Sequence, residues 1–434
     1  MSATSDLLDF AAADHRLSPA VRADTLRLLS DALAVGAAGS AAPGMDGVLA
    51  VARNWGAGTE ARLMGRSERL PAQSAAYVNG FAVHCLEWDA VHEPAVVHSV
   101  SSIAAAMLAV IDRNGGCDPE KALTALAVGI DIASGIGLAA ETDLTFFRPA
   151  TAGIFGAALA VSRIEGLSRD QFSDVLGLAH AHAAGTMQAH REGSIALPLQ
   201  FANAVRSAIH AVDLVRNGLT GPHDVLEGEF GHFRLFDAGQ LSTYTRDIGL
   251  VWRVSEVSTK PYPSGRASHA VLGTLDQLKR EGLAVDKVSR IEAHVPSLIN
   301  TLVGRPMAAD MTPAYARLCL PFLSALMLTD GLIDPRRFTS EAFRDPALQA
   351  LSEKLEIFID SNSDPNALYP QRLVVTTRDG AMRNVSVPAT LGSPQAPLSP
   401  AQAAAKRVLA RALSAENPDP RLFDDPLAYF TDPR

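Results

Sequence analysis

The amino-acid sequence predicts a mainly α-helical protein that combines a large all-helical domain with a smaller α+β domain. Apolar residues recur three and four positions apart through most of roughly the first 250 residues, which is the spacing of helices. From about residue 255, runs that alternate apolar and polar residues appear, and an Asp-Gly turn separates two β-rich runs. With 434 residues, 47% of them hydrophobic, the chain can bury a sizeable core in two domains.

The helical domain is expected to span residues 1–255. Its segments are rich in alanine and apolar on most faces, which favours helices packed inside a large all-α body. Turn signals such as Asn114-Gly115-Gly116 and Asn217-Gly218 separate them. Helices are predicted at Val21–Ala38, Ser102–Val110, Lys121–Ala140, Gly153–Glu165 and Leu199–Asn217.

The α+β domain is expected to span residues 256–395. Near its end, Arg378-Asp379-Gly380 lies between two β-rich runs and predicts a hairpin. Residues 396–434, which contain an Ala-rich helical segment after a proline-containing linker, are expected to return to the helical domain. Strands are predicted at Val288–Val295, Leu373–Thr377 and Met382–Val387, and helices at His269–Lys279, Pro321–Thr329 and Pro400–Leu413.

Composition and charge exclude several classes of protein. The net charge of −9 argues against a general nucleic-acid binder, because such proteins gain affinity by neutralising phosphates. Cys85, Cys117 and Cys319 show no CxxC spacing and fit a reducing compartment. The first residues are acidic where a signal peptide would be basic, and no window reaches about 18 uninterrupted apolar residues. We therefore predict a soluble cytoplasmic protein that does not bind membranes.

Two glycine patterns, Gly56-Ala57-Gly58 and Gly135-Ile136-Gly137, match a loose dinucleotide-binding pattern. Such a pattern has meaning only between a strand and a helix. The first pattern follows a helical segment and the second lies within one, so we expect no nucleotide cofactor.

Histidines and carboxylates cluster between residues 84 and 98. His84, His92 and His98 fall in the run HCLEWDAVHEPAVVH together with Glu87 and Asp89. The proline in this run disfavours a continued helix, so the run indicates a helix end followed by a loop. Ionisable groups massed on a loop favour a functional site. A solvated surface loop and a metal site are the alternatives, although the spacing fits no standard ligand set.

A second cluster, Lys260-Pro261-Tyr262-Pro263-Ser264-Gly265-Arg266, lies where the two domains are expected to join. Clefts between domains are favoured ligand sites, and a lysine with an arginine suits a carboxylate. The alternative is a rigid linker with exposed charges.

These two clusters belong to a colinear series of motifs that covers nearly the whole chain. The series comprises Ala76–His84, Arg148–Ala158, Gly218–Pro222, Leu226–Gly228, Lys260–Pro263 and Leu320–Phe322 before Asp330-Gly331. On these motifs the sequence resembles the MmgE/PrpD family, which contains 2-methylcitrate dehydratase, cis-aconitate decarboxylase and iminodisuccinate epimerase. The resemblance implies a large helical domain, a smaller α+β lid domain, a homodimer, and a site between the domains without metal or organic cofactor.

The resemblance also assigns roles to individual residues. His98 matches the family's active-site histidine, and Lys260 matches the lysine of its K-x-Y-P motif. Asp89 and His92 match their counterparts in the family's acidic loop, where Glu87 is a conservative replacement.

The sequence departs from the family pattern at three places. In the acidic loop, Ala90 and Val91 stand where the family pattern has an aspartate and a threonine. Arg148 precedes Pro149 where many members have His-Pro. Many members also carry a lysine before L-H-x-G-x-A-A, and the corresponding segment, Leu197–Ala204, has none.

From this resemblance we predict an enzyme that acts on a small di- or tricarboxylate at the carbon next to a carboxylate, first of all a hydro-lyase similar to 2-methylcitrate dehydratase. His98 is the expected general base, because imidazole titrates near neutrality, and Lys260 the acid or base opposite it. The acid for a departing hydroxyl would be His92, Tyr262 or Lys260. We expect His98, Lys260, Asp89 and His92 to be catalytic, and Glu87, Arg148, Tyr262 and Arg266 to bind substrate, with the arginines as carboxylate clamps.

Two alternatives stay open. A cofactor-independent epimerase of an aspartate-derived dicarboxylate needs only two groups on opposite sides of one carbon, and His98 with Lys260 could be that pair. A catalytically degenerate homodimer that only binds a dicarboxylate is the other alternative.

Overall fold

The computed structural model describes residues 2–362, 364, 366–416 and 419–434. The protein is mainly α-helical, as the sequence predicts. A short antiparallel hairpin of Ala61–Arg62 with Arg69–Leu70 interrupts the helices of the first half. Those helices are Ala3–Ala12, Pro19–Gly39, Met45–Arg53, Ala72–His84, Ser99–Arg113, Pro119–Leu138, Arg148–Thr151, Gly153–Glu165, Arg169–His180, Gln188–Glu192, Ala196–Arg216, His232–Leu235 and Ser242–Thr245.

All five helices predicted for this half form, and local sequence determines how several helices begin. Ser18 and Asp118 each accept a hydrogen bond from the backbone N–H three residues further on, and each is followed by a proline. An N-cap acceptor before proline favours a helix start. Ser168 and Gln171 form a reciprocal capping box at the start of Arg169–His180.

The helices Pro119–Leu138 and Gly153–Glu165 pack closely in the core. A Cβ atom added at Gly129 would lie 2.8 Å from the carbonyl oxygen of Gly156, so this contact requires glycine. Among the described residues, Pro119–Leu138 is the one helix long and apolar enough to cross a membrane, and 89% of its apolar window is buried inside the protein.

The strands of the second half form a four-stranded sheet in the order Leu355–Ile359, Val288–Val295, Gln371–Thr377, Met382–Val387. The first pair is parallel and the other two pairs are antiparallel. The predicted Asp-Gly hairpin forms, with Gly380 at a φ of 85°. The strand Leu355–Ile359 was not predicted, because its sequence LEIFI alternates only at its start.

The predicted helices of the second half are also present, within one residue at either end. Single 3-10 turns occur at Arg253–Glu256, Arg266–Ser268, Val285–Lys287 and Pro335–Arg337. The α-helices are His269–Arg280, Ser297–Val303, Pro313–Ala316, Leu320–Asp330, Ser340–Phe343 and Pro346–Ser352.

The C-terminal segment contacts the first long helix. Its helices are Pro400–Leu413, Arg421–Asp424 and Pro426–Thr431. Lys406 forms a buried ion pair of 2.6 Å with Asp31 and donates a hydrogen bond of 3.1 Å to the carbonyl oxygen of Trp88. The domain boundaries at residues 255 and 395 stay predictions.

Candidate active site

The loop with the clustered histidines joins the helices Ala72–His84 and Ser99–Arg113, as predicted. Glu87 and Val96, on this loop, both adopt a φ of 53°. This left-handed conformation costs a non-glycine residue about 1–3 kcal/mol and persists only where the surrounding structure holds it. Strain of this kind collects at functional sites.

Backbone pairing brings the two predicted clusters together. The N–H of Val91 donates to the carbonyl of Ser258 at 3.0 Å, and the N–H of Ser258 donates back to Val91 at 2.9 Å. This bridge places Lys260, two residues further on, beside the loop that carries Asp89.

Asp89 lies at the centre of the site and has no exposed surface. Its Oδ2 atom is 3.2 Å from Nδ1 of His84 and 3.0 Å from Nδ1 of His98. Its Oδ1 atom is 3.9 Å from Nζ of Lys260. One buried carboxylate therefore contacts three groups that can carry positive charge, which compensates for its burial.

Lys260 is itself fully buried, and Glu87, one of the two loop residues with a left-handed backbone, holds its ammonium group. Its Nζ donates a hydrogen bond of 2.9 Å to the carbonyl oxygen of Glu87 and lies 3.4 Å from Oε2 of the same residue. The other carboxylate oxygen of Glu87 lies 3.5 Å from Nε2 of His84. The ammonium is thus fixed at the site with little freedom left to lose.

These groups surround a cavity of about 70 Å³. A single water needs roughly 10–15 Å³, so the cavity has room for a small molecule or part of one. Its polar lining includes His84, Glu87, His98, Arg148, Lys260 and Arg266, and its apolar lining includes Leu144, Phe147, Met187, Leu197, Leu302 and Leu318.

The two histidines at Asp89 favour opposite protonation states. Burial lowers the pKa of His98 below its ordinary value of 6.5, and Asp89 offsets only part of that shift. Burial acts on His84 in the same direction, but the charges of Asp89 and Glu87 outweigh it and raise the pKa of His84 above 6.5. The opposite shifts favour a neutral imidazole at His98 and a protonated one at His84, a pair that can act as base and acid.

The pKa values of the carboxyl groups fit this arrangement. Burial alone would raise the pKa of Asp89, but His98 and His84 hold it well below its ordinary value. Burial opposes ionisation of Glu87 as well, and His84 and Lys260 outweigh it, so that its pKa is lowered. Both carboxylates stay ionised at neutral pH.

His92 and Tyr262, which the sequence places in the site, do not line this cavity. Nε2 of His92 lies 2.9 Å from a carboxylate oxygen of Glu256, and its Nδ1 accepts a hydrogen bond of 3.2 Å from the N–H of Ala95. The hydroxyl of Tyr262 donates to Asp276 at 3.4 Å. Because their polar atoms are engaged elsewhere, we expect neither residue to act on a molecule in this cavity.

Arg148 and Arg266 do line the cavity, but neither is a free carboxylate clamp as predicted. Arg148 is paired with buried Asp237 through Nη2 at 3.0 Å and Nε at 3.3 Å. Arg266 donates to Glu93 from Nη2 at 2.8 Å and from Nε at 3.0 Å. Each guanidinium is neutralised by a carboxylate of the protein itself.

His84 is the site residue that sequence reasoning left out of the catalytic set. Its position at the end of the Ala76–His84 motif, within the histidine cluster, was the available signal. For Asp237 the sequence offers no signal, because it lies 89 positions from Arg148 in the chain.

The donor atoms of His84, Asp89 and His98 all lie within 4.8 Å of one another, a set that could hold a metal ion. The ammonium of Lys260 lies 3.9 Å from Asp89 and already brings positive charge to this carboxylate. The absence of a metal cofactor stays a prediction, and chelation tests it.

Two family profiles match this chain in the order of its two halves. Residues 7–244 match the MmgE/PrpD N-terminal domain, and residues 262–417 match the MmgE/PrpD C-terminal domain. The chain belongs to the MmgE/PrpD family. The resemblance inferred from the motifs is therefore confirmed.

Relatives of this MmgE/PrpD protein include one cis-aconitate decarboxylase-like protein and two cis-aconitate decarboxylases. It is 26% identical over 379 residues to the cis-aconitate decarboxylase-like protein oryM of Aspergillus oryzae, covering 81% of this chain and 78% of the relative. It is 27% identical over 329 residues to human cis-aconitate decarboxylase, covering 72% and 67%. The mouse cis-aconitate decarboxylase is 26% identical over 376 residues, covering 82% and 75%.

Proposed function

We propose that this protein is a lyase that decarboxylates a small tricarboxylate similar to cis-aconitate. The observation that carries the proposal is the buried carboxylate of Asp89, which contacts one histidine with a raised pKa, one with a lowered pKa, and a lysine beside a largely apolar cavity. The human and mouse relatives are cis-aconitate decarboxylases and the Aspergillus oryzae relative is a cis-aconitate decarboxylase-like protein, and their similarity to this chain supports the same reaction type.

The chemistry divides into two steps. The bond between the α-carbon and the carboxyl carbon breaks, CO2 leaves, and the electron pair passes into the conjugated system next to the remaining carboxylates. A proton from the protein then replaces the lost CO2, so that one proton is consumed for each CO2 released. The imidazolium of His84 is the group best prepared to give this proton, and Lys260 stabilises the developing negative charge.

The apolar wall of the cavity favours decarboxylation over a reaction in which every carboxylate of the substrate stays charged. A carboxylate in apolar surroundings loses solvation, and its conversion to neutral CO2 removes that penalty. Leu144, Phe147 and Met187 belong to this wall.

A second candidate is the hydro-lyase predicted from the sequence. It needs a base for the α-proton and an acid for the departing hydroxyl, and the opposite pKa shifts of His98 and His84 would provide both. For the hydro-lyase, which uses both groups, we expect a bell-shaped dependence of kcat/KM on pH. Activity would rise as His98 loses its proton below 6.5 and fall as His84 loses its proton above 6.5.

The test is incubation of the purified protein with cis-aconitate, citrate and 2-methylcitrate in D2O, followed by NMR. Loss of CO2 with one deuterium incorporated into the product supports the decarboxylase, and loss of water supports the hydro-lyase. Deuterium exchange at the α-carbon without loss of CO2 or water indicates an epimerase. Binding without any exchange would overturn the proposal in favour of a non-catalytic carboxylate-binding protein. The matched control is His92→Gln, in the same loop but outside the cavity, beside His98→Gln.

A further inference from the structure

Arg317 lies in the segment between the helices Pro313–Ala316 and Leu320–Asp330 and is only 3% exposed. Its side chain lines a small side cavity of about 10 Å³, whose wall also contains His84, Cys85 and Glu87. This buried arginine therefore lies next to the catalytic groups, although nothing in the sequence motifs pointed to it.

Within the described part of the chain, the guanidinium of Arg317 has no hydrogen-bond or ion-pair partner. Its Nε atom is buried without a hydrogen bond, and no carboxylate oxygen lies within 4.0 Å of its nitrogens. Its Cζ atom lies 5.6 Å from the centre of the Phe338 ring, a cation–π contact that compensates only part of the charge.

Arg62, Arg148 and Arg266, which are also buried, each pair with a carboxylate of the protein. A buried charge without a partner is costly, so a protein keeps one where a ligand supplies the missing charge. Arg317 differs from the other three in this respect, and an anion is the ligand that would satisfy it.

The side cavity lies next to the main one. Both are lined by His84, Glu87, Leu197 and Leu318. A molecule whose reacting carbon lies in the main cavity would need to reach only past these shared wall residues to place a carboxylate oxygen near Arg317. Glu87 faces the same space, but its two oxygens are already shared between His84 and Lys260 at 3.5 Å and 3.4 Å.

We propose that Arg317 forms the subsite for a substrate carboxylate that does not react. The inference rests on the proposed function in so far as the ligand is a polycarboxylate. Arg317 takes the carboxylate-binding role first expected of Arg148 and Arg266, whose charges are neutralised within the protein. In this arrangement Lys260 and the histidines act at the reacting carbon, while Arg317 orients the other end of the molecule and selects for polycarboxylates.

The test measures binding of three saturated probes by calorimetry, without turnover: tricarballylate, glutarate and butyrate, which carry three, two and one carboxylates. In Arg317→Met we expect the affinity for tricarballylate to fall by about 10- to 100-fold, the range for lost hydrogen bonds to a charged group. The affinity for butyrate should change little, because one carboxylate can be held elsewhere in the cavity. Arg317→Lys should recover part of the loss, since it restores the charge without the planar fork.

The control is Arg344→Met, which removes the same charge from an exposed side chain outside the cavity. Thermal unfolding provides a second readout. Removal of an unpaired buried charge should raise the Tm of ligand-free Arg317→Met, whereas loss of a structural contact would lower it.

Two outcomes separate this inference from the proposed function. Loss of the preference for three carboxylates in Arg317→Met, in a protein that turns over none of the candidate substrates, would support the subsite and overturn the decarboxylase. Equal affinities of Arg317→Met and the parent for tricarballylate, in a protein that releases CO2, would overturn the subsite and leave the decarboxylase standing. A lowered Tm together with an equal loss of affinity for all three probes would also overturn the subsite.

Discussion

The substitution Asp89→Asn tests the central feature of the site, because it keeps the size of the side chain and removes its charge. The carboxylate lies 3.0 Å and 3.2 Å from the two imidazoles and 3.9 Å from the ammonium of Lys260. Without this carboxylate, the pKa of His84 loses the largest contribution that raises it. Lys260 and His84 would share the single charge of Glu87.

The stability cost can be estimated in two ways that agree. Two unit charges about 4 Å apart interact by about 4 kcal/mol at an effective dielectric constant of about 20. Removing one partner of a buried ion pair costs about 3–5 kcal/mol in measured cases. We therefore expect Asp89→Asn to lower the free energy of unfolding by about 3–5 kcal/mol at pH 7, measured by urea denaturation.

The dependence on pH follows from the lowered pKa of Asp89. A carboxyl whose folded pKa is depressed stabilises the protein above its unfolded pKa, near 3.8, and loses that effect as the pH falls through the folded value. The difference in stability between parent and variant should be complete above pH 3.8 and shrink below it. In the kinetic profile the alkaline limb should move to lower pH, because His84 gives up its proton more readily.

Asp112→Asn is the matched control. Asp112 is a buried carboxylate paired with Arg62 at 2.6 Å. It lies near the far end of the helix Ser99–Arg113 from the site, roughly 20 Å away at 1.5 Å per residue. Its loss should destabilise the protein and leave the pH profile of the folded enzyme unchanged. An alkaline limb in Asp89→Asn that coincides with that of the parent would refute the reasoning.

Four further results are expected. If the protein is the hydro-lyase, in which His98 is the base, His98→Ala should lower kcat by about 10²–10⁴-fold, whereas His92→Gln should keep its kcat; equal deuterium exchange at the α-carbon in His98→Ala and the parent would exclude His98 as the base. Lys260→Ala should reduce kcat by a comparable factor, and a rise in KM alone would limit the lysine to substrate binding. Arg148→Ala should lower the free energy of unfolding by about 3–5 kcal/mol, because it leaves Asp237 buried without its partner, and a raised KM at unchanged stability would restore its role as a clamp. Sedimentation at micromolar concentration should give a homodimer of about twice 45.8 kDa, as the family resemblance implies, and a mass near 46 kDa would contradict it.

The sequence by itself determined where most helices and the hairpin lie. Helix period and N-terminal caps such as Ser18 and Ser168 are local properties, and the Asp379-Gly380 turn encodes its own geometry. The motif order likewise identified the family and drew attention to His98 and Lys260. The inferences about the helices, the hairpin and the family succeeded because they depend on neighbours along the chain, or on a pattern shared with other chains. The roles of His98 and Lys260 stay predictions.

Only the tertiary structure decided the chemical state of the site residues. The pairing of Arg148 with Asp237 spans 89 positions, and that of Arg266 with Glu93 spans 173. The sequence also does not show that the His92 ring lies beside Glu256, or that the Nε atom of Arg317 is buried without a hydrogen bond. Charge neutralisation, burial and pKa shifts arise from groups that are close in space but distant in the chain, and no periodicity or local propensity records them.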